Sequence, residues 1–318
     1  MNEQINGQLS IFEGVEMGVG TWAWGDSLYW GFGQDYDNND LEAVFDYSVS
    51  LGITFFDTAE IFGQGQSEIF LGKFLQRTNK PIQIMTKFMP FPWRLWKSTI
   101  KGAIKGSLQR LGLKRVDIYQ IHKPLPPVSL DTWMEGMIEI YQAGLCKGIG
   151  VCNFNYDQML RAADCLSREG ICLACNQIDY NLLNRNADKS GLIERCRERG
   201  IKLLASSPLN LGILSGKYTE NNLPTGIRGQ TFNKEYLHTI KPLISSMRQI
   251  GLNHGNRSPA QVAINWVLCK GLLPVPGAKN LEQAEQNAGA IGWRLTDDEV
   301  NQLDITSEKI NFQIKKAR

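Results

Sequence analysis

Eight times along this chain a short apolar run is followed by a longer amphipathic stretch, and that alternation constrains the fold more than any other feature. The runs are MGVGTW (17–22), ITFFDTA (53–59), IQIMTKF (82–88), VDIYQIH (116–122), CKGIGVC (146–152), LACNQI (173–178), IKLLASS (201–207) and LLPVPG (272–277). Continuous apolar runs of this length suit parallel strands covered on both faces. The stretches between them predict helices over 39–51, 67–77, 97–111, 129–143, 155–169, 188–199, 258–270 and 280–290. Asn155 is placed to cap one helix, and Ser258 followed by Pro259 to start another. Gly52, Gly112, Gly144, Gly170, Gly200 and Gly271 stand where helices should stop. Eight β-then-α units without a linker or composition break predict an α/β fold, a (β/α)8 barrel of TIM type with residues 1–318 as one domain. A doubly wound sheet competes, but G-V-G-T-W-A-W-G after the first strand matches its phosphate-binding turn poorly.

Two segments fall outside the eight units. Residues 1–16 are expected to form a hairpin closing the barrel floor. Residues 208–257 make a long loop insertion after the seventh strand, with a helix of its own near 233–250. Long βα loops in such barrels belong to the ligand face.

Charge and cysteine usage narrow the partners. Lysine and arginine total 34 against 32 acidic residues, so nothing electrostatic points to nucleic acid or a membrane surface. No segment approaches the roughly 20 apolar residues of a membrane span. The amino terminus, MNEQINGQLSIFEG, lacks the basic start and apolar run of a signal peptide. The chain therefore reads as a cytoplasmic monomer or weak homo-oligomer that acts on a small molecule. Seven cysteines lie mostly inside apolar runs, and Cys172 and Cys175 form a C-x-x-C in a strand-like segment with no second pair at zinc-site spacing. Buried structural thiols are the expectation. Three histidines leave little material for a metal cluster, and none is expected.

Barrel enzymes carry reactive groups at the carboxyl ends of their strands. The ends of successive runs present Asp57, Lys87, His122, Asn153, Gln177 and the Ser206–Ser207 pair. An acid, a base and an imidazole on adjacent strands form a candidate active site. Singly, Asp57 suits a loop cap, Lys87 a solvated rim and His122 a satisfied strand end; together they point to chemistry.

Longer motifs then carry a resemblance. F-F-D-T-A-E-I-F-G-Q-G-Q-S-E-I-F-L-G (55–72), M-T-K-F (85–88), D-I-Y-Q-I-H (117–122), G-I-G-V-C-N-F (148–154), N-Q-I-D-Y-N-L (176–182), S-P-L-N-L-G-I-L-S-G-K-Y (207–218) and P-G-A-K-N-L-E-Q-A-E-Q-N (276–287) follow one another in order. Over about residues 15–305 the chain resembles the aldo-keto reductases, and W-A-W-G-D-S-L-Y-W with I-G-W-R-L-T-D-D-E-V is similar to a plant-plastid and cyanobacterial branch. The resemblance implies NADPH-dependent carbonyl reduction. In that family a tyrosine phenol protonates the carbonyl oxygen, a lysine held by an aspartate lowers the phenol's pKa, and a histidine orients the substrate. Asp57, Lys87 and His122 match three of these positions, but Phe62 stands where A-E-x-Y-G has its tyrosine. A phenyl ring cannot donate a proton, so the standard mechanism is broken.

The resemblance also assigns a cofactor cradle. Asn153 and Gln177 match the pair that binds the nicotinamide amide, and Ser207, Leu209, Gly212 and Lys217 the pyrophosphate loop. Gly277, Lys279, Gln283, Gln286 and Asn287 match the adenosine end, with Lys279 placed for a 2′-phosphate and so for NADP(H). Ser206 replaces an aromatic that stacks on the nicotinamide, and Cys152 replaces a serine. Aromatic residues on presumed loops suggest an apolar or aromatic ligand, with Trp24, Tyr29, Phe62 and Phe88 as substrate contacts and Tyr29 as a surrogate acid. Trp93 and Trp96 fit the start of a helix equally well. Three functions remain open. One is a nicotinamide-dependent oxidoreductase acting on a carbonyl, imine or conjugated substrate by a non-standard mechanism, with Lys87 or His122 handling the proton. Another is a non-redox isomerase, dehydratase or cyclase using the same two residues. The third is an NADP-binding module without turnover.

Overall fold

The computed structural model describes residues 10–317. Eight parallel strands follow one another round a barrel in chain order: β1 (Gly18–Gly20), β2 (Phe55–Asp57), β3 (Gln83–Phe88), β4 (Val116–Ile121), β5 (Cys146–Cys152), β6 (Leu173–Asp179), β7 (Lys202–Ser206) and β8 (Leu273–Val275). A parallel bridge between Gly20 and Gly277 joins the last strand to the first, and the Gly20 N–H donates to the Pro276 carbonyl at 2.9 Å. The helices are α1 (Asn38–Ser50), α2 (Gln66–Leu75), α3 (Ser98–Leu111), α4 (Leu130–Gln142), α5 (Tyr156–Ser167), α6 (Asn186–Lys189), α7 (Leu192–Glu198), α8 (Gly226–Thr231), α9 (Lys234–Asn253), α10 (Pro259–Cys269), α11 (Leu281–Ala288) and α12 (Asp297–Ala317). This is the (β/α)8 barrel that the alternation predicts.

Local signals act where they stand. The Asn155 side chain accepts the Gln158 N–H while Gln158 bonds back, and Ser258 forms the same reciprocal box with Gln261 ahead of Pro259. Gly112, at φ 67°, ends α3 in the left-handed region open to glycine. Strand parity then sorts the core. Phe55, Met85, Ile118, Cys175, Leu204 and Leu273 fill the barrel interior, whereas Phe56, Ile84, Tyr119 and Leu203 face the helices.

Four expectations need correction. Of the hairpin over 1–16, residues 1–9 lie outside the described residues, and Ser10–Phe12 form a single 3-10 turn. Ile11 and Phe12 plug the floor from that turn: the Phe12 ring sits 5.7 Å from Phe55, and Gln83 Nε2 donates to the Ile11 carbonyl at 2.6 Å. The helix expected over 188–199 is split into α6 and α7 by Gly191 at φ 67°. The insertion after β7 carries α8 as well as the expected α9, which runs through Pro242. α12 was not anticipated; it is tied down by the Trp266 indole donating to Asp304 at 2.9 Å and by Ser307 donating to the Leu182 carbonyl.

Of the seven cysteines, Cys146, Cys152, Cys175 and Cys196 are buried and Cys165, Cys172 and Cys269 partly so. Gln120 donates to the Cys175 sulfur at 3.2 Å. Among the described residues no helix is long and apolar enough to cross a membrane.

Candidate active site

Because successive strand residues alternate faces, Lys87 of β3 points inward with Met85, and Asp57 at the end of β2 comes beside it. The two are 2 % and 5 % exposed. Lys87 donates to Asp57 and, at 2.9 Å, to the Thr58 carbonyl. The second Asp57 oxygen accepts Gln177 Nε2 at 2.8 Å. A charge this deep in the barrel is tolerable only when paired and hydrogen-bonded in this way.

Phe62 covers the pair. It opens a tight turn in which Gly63, Gln64 and Gly65 are all left-handed, and a Cβ on Gly63 would sit 2.8 Å from the Gly25 carbonyl. That close approach fixes the ring. Lys87 Nζ lies 5.1 Å from its centre, and the His122 ring stands edge-on at 5.8 Å and 83°. Burial, then the charges of Lys87 and Lys123, hold the His122 imidazole down to about 3, so it is neutral near pH 7. Its Nδ1 is buried without a hydrogen-bond partner.

From Asp57 and Phe62 a cleft of about 430 Å³ opens along the ends of β7 and β8. Ser206, Ser207, Leu209, Gly212 and Lys217 line one side of it, and Gly277, Lys279, Gln283, Gln286 and Asn287 the other. Ser207, Asn210, Leu211 and Gly212 all take left-handed φ, between 45° and 90°. Three of these are not glycine, and such backbone costs roughly 1–3 kcal/mol each, a strain that concentrates at ligand sites. Asn287 Nδ2 donates to the Gly277 carbonyl at 3.1 Å, and Gln283 accepts the Lys279 N–H at 3.1 Å.

Asn153 is exposed at the mouth, where its backbone N–H donates to the Gln177 carbonyl at 2.7 Å and its side chain bonds Cys152 and the His122 carbonyl. The Gln177 amide nitrogen is engaged by Asp57 at 2.8 Å.

Two expected substrate contacts are not at the cleft. Trp24 is 0 % exposed, its indole donating to the Ala278 carbonyl at 3.1 Å and its ring packed on Phe56 and Phe74. Phe88 follows the inward Lys87 and must point outward; it is 0 % exposed against Trp133. Tyr29 stacks on Trp22 at 5.3 Å, and Trp22 in turn on Phe62 at 6.2 Å, so an indole separates the Tyr29 phenol from the site. Burial also raises that phenol's pKa, making it a poorer acid. Trp22 and Trp30 line the cleft instead. Trp93 stacks on Phe91 and, like Trp96, stands on the surface.

Arg228 is the residue that sequence reasoning missed. It rises from α8 to pack 4.9 Å over the Trp30 ring and is buried, with Nε lacking a partner. Lys279 donates to the Trp30 carbonyl at 3.0 Å and lies 3.9 Å from Asp35. Burial first, and then Arg228, lower its pKa to about 8. Lys217, Arg228 and Lys279 thus gather three cations at one end of the cleft, where Glu282 also lines the wall and an exposed Asp35 lies 3.9 Å from Lys279.

Comparison with known proteins gives the family. The model of the Aldo/keto reductase family matches residues 16–308. The chain is 37% identical over 307 residues to a chloroplastic pyridoxal reductase of Arabidopsis thaliana, covering 92% of this chain and 83% of that one. It is 34% identical over 283 residues to an uncharacterized oxidoreductase of Mycobacterium bovis, covering 88% and 85%. The crystal structure of a thermostable aldo-keto reductase in complex with the inhibitor epalrestat superposes with a TM-score of 0.74 at 26% identity, covering 92% and 94%. By sequence, motif order and barrel, this chain belongs to the aldo/keto reductase family of oxidoreductases.

Proposed function

We propose that the chain is an NADP(H)-dependent oxidoreductase acting on a small aromatic or apolar carbonyl, imine or conjugated substrate, without a protein phenol as acid. The observation that carries this reading is a single cleft joining the Asp57–Lys87–Phe62 cluster to the cations Lys217, Arg228 and Lys279. The donor set fits a phosphorylated dinucleotide. Arg228 has an unpartnered buried Nε, and Lys279 is destabilised as a cation until an anion arrives. Lys279 and Arg228 would hold a 2′-phosphate, Lys217 and the Ser207–Gly212 loop the pyrophosphate, and Gln283, Gln286 and Asn287 the adenosine. Ser206 would leave the nicotinamide face open.

When bound, the reduced nicotinamide supplies hydride. The chain's residues then govern where the substrate lies and where a proton can come from. Trp22 and Phe62, with Trp30 edge-on to Trp22, form an aromatic side of the cleft. Asp57 and the Thr58 carbonyl occupy the Lys87 ammonium, and the Phe62 ring covers it. His122 is neutral at working pH and serves as a polar wall rather than an acid. The same facts count against a non-redox enzyme using Lys87 and His122 as base and acid, since neither is poised for that work. The Arabidopsis relative's name makes pyridoxal, an aromatic aldehyde, the first substrate to try.

Equilibrium titration with NADPH and NADH, read by tryptophan fluorescence, tests the assignment. A charge-assisted phosphate contact contributes roughly 1.5–3 kcal/mol, so NADPH should bind at least about tenfold tighter. Equal dissociation constants, or no change in Lys279→Ala, would overturn it. Loss of 340 nm absorbance with pyridoxal would separate an enzyme from a binding module.

A further inference from the structure

On the proposed reading the site receives hydride, yet among the described residues it presents no free acid of its own. A carbonyl that receives hydride becomes an alkoxide, and that oxygen must find a proton. Each nearby group fails for a stated reason. Phe62 has no exchangeable proton. Lys87 is 2 % exposed, two of its three N–H groups go to Asp57 and the Thr58 carbonyl, and the Phe62 ring lies over its ammonium, between it and the cleft. His122 is neutral, the Tyr29 phenol lies behind the Trp22 ring, and burial pushes the Cys152 thiol up to about 12. What the cleft does present beside Phe62 is Trp22, its ring stacked on Phe62 at 27°, with Trp30 edge-on to Trp22 at 5.4 Å. That wall holds a flat ring and protonates nothing.

Resting on the proposed nicotinamide-dependent reading, we propose that the preferred substrates bring their own acid. They are aromatic aldehydes with a hydroxyl on the ring carbon next to the one bearing the formyl group. In such a molecule the O–H already points at the carbonyl oxygen across a six-membered ring. Hydride from the reduced nicotinamide forms the new C–H bond and the C=O π pair moves onto oxygen. That oxygen takes the neighbouring phenolic proton, leaving a benzylic alcohol and a phenolate; water returns a proton to the phenolate, and the nicotinamide is left oxidised. The transfer runs downhill, because a phenol, with a pKa of about 10, is a far stronger acid than an alcohol. Positioning costs the protein nothing, since donor and acceptor belong to one rigid ring.

The test compares 2-hydroxybenzaldehyde with 2-methoxybenzaldehyde and 4-hydroxybenzaldehyde on the native protein with NADPH. The methoxy compound keeps the electronic effect and the bulk but has no proton, and the 4-hydroxy compound has a proton out of reach. A positioned acid contributes roughly 10²–10⁴-fold, so kcat for the 2-hydroxy compound should exceed both others by about 10²-fold, with KM values within a few-fold. A second readout needs no turnover: 2-hydroxybenzyl and 2-methoxybenzyl alcohol should quench the fluorescence of the NADP⁺-loaded protein with dissociation constants within about threefold, because the hydroxyl serves chemistry and not recognition. Phe62→Tyr, which supplies a phenol to every substrate, should bring the three kcat values together while NADPH still binds. Equal kcat values in the native protein, or no reduction of any of the three by protein that binds NADPH, would overturn the inference and leave cofactor binding standing. A binding preference for the hydroxy alcohol as large as its rate advantage would also overturn it. Failure to bind NADPH at all would overturn the underlying reading, and the inference with it.

Discussion

Raising the pH from 7 to 9 should weaken NADPH binding about tenfold and leave NADH binding unchanged. The perturbation acts on Lys279, whose pKa is lowered to about 8 by burial and by Arg228. Below pH 8 the free protein carries the ammonium, and a 2′-phosphate meets a charge already in place. Above pH 8 the free protein loses that proton, and binding must take it back from solvent. With a phosphate beside it, Lys279 regains an ordinary lysine pKa near 10.4, so the bound state stays charged across the range. The apparent dissociation constant then grows as one plus the ratio of neutral to charged Lys279. That factor is about 1.1 at pH 7, about 2 at pH 8 and about 11 at pH 9, the last close to 1.4 kcal/mol. NADH has no phosphate at this position, so its curve should be flat. Fluorescence titrations at the three pH values, with circular dichroism to verify the fold, give the answer directly. Lys279→Ala should flatten the NADPH curve and weaken binding at pH 7. Parallel curves for the two cofactors, or a slope that survives in Lys279→Ala, would refute the assignment of Lys279 to the phosphate.

Arg228→Ala should weaken NADPH binding by tenfold or more and NADH binding by less, in the same titration, because it removes a buried cation from the Trp30 face. Trp24→Phe should destabilise the fold by about 1–3 kcal/mol in urea unfolding, since the Ala278 carbonyl loses its buried donor; an unchanged stability would return Trp24 to the ligand. With His122 held to about 3, no limb near 6.5 belongs in the pH–rate profile. Such a limb, abolished by His122→Asn, would show that the imidazole titrates in the site after all.

What the sequence made legible follows from periodicity. Strand ends can be counted along apolar runs, which puts Asp57, Lys87, His122 and Ser206 at the barrel mouth. The same parity also held the correction for Phe88, which cannot share a face with Lys87. Trp22 and Trp24 were harder. They are two apart, yet the chain turns between Thr21 and Trp24, whose N–H donates to the Thr21 carbonyl at 2.9 Å, and so one ring enters the cleft and the other the core. Arg228 sits in the 208–257 insertion, where no strand register fixes a side chain; its position depends on Trp30, almost 200 residues earlier, and no local signal announces such a pairing. The left-handed residues of the loop after β7 likewise include Asn210 and Leu211, a conformation that residue identity alone does not suggest.

The central claim is that this protein binds a hydride donor beside a site with no acid, and Phe62→Tyr tests it most directly. The ring centre lies 5.1 Å from Lys87 Nζ. A phenolate at about that distance would gain roughly 3 kcal/mol at an effective dielectric of 20, or about two pKa units, enough to make a competent acid near neutrality. The measurement is the loss of 340 nm absorbance with 4-nitrobenzaldehyde, which carries no proton to lend, at saturating NADPH. The account predicts a native rate near background and a rise of about tenfold or more in Phe62→Tyr, with NADPH affinity unchanged. A native rate equal to that of Phe62→Tyr would contradict it, for the native protein would then own a proton donor.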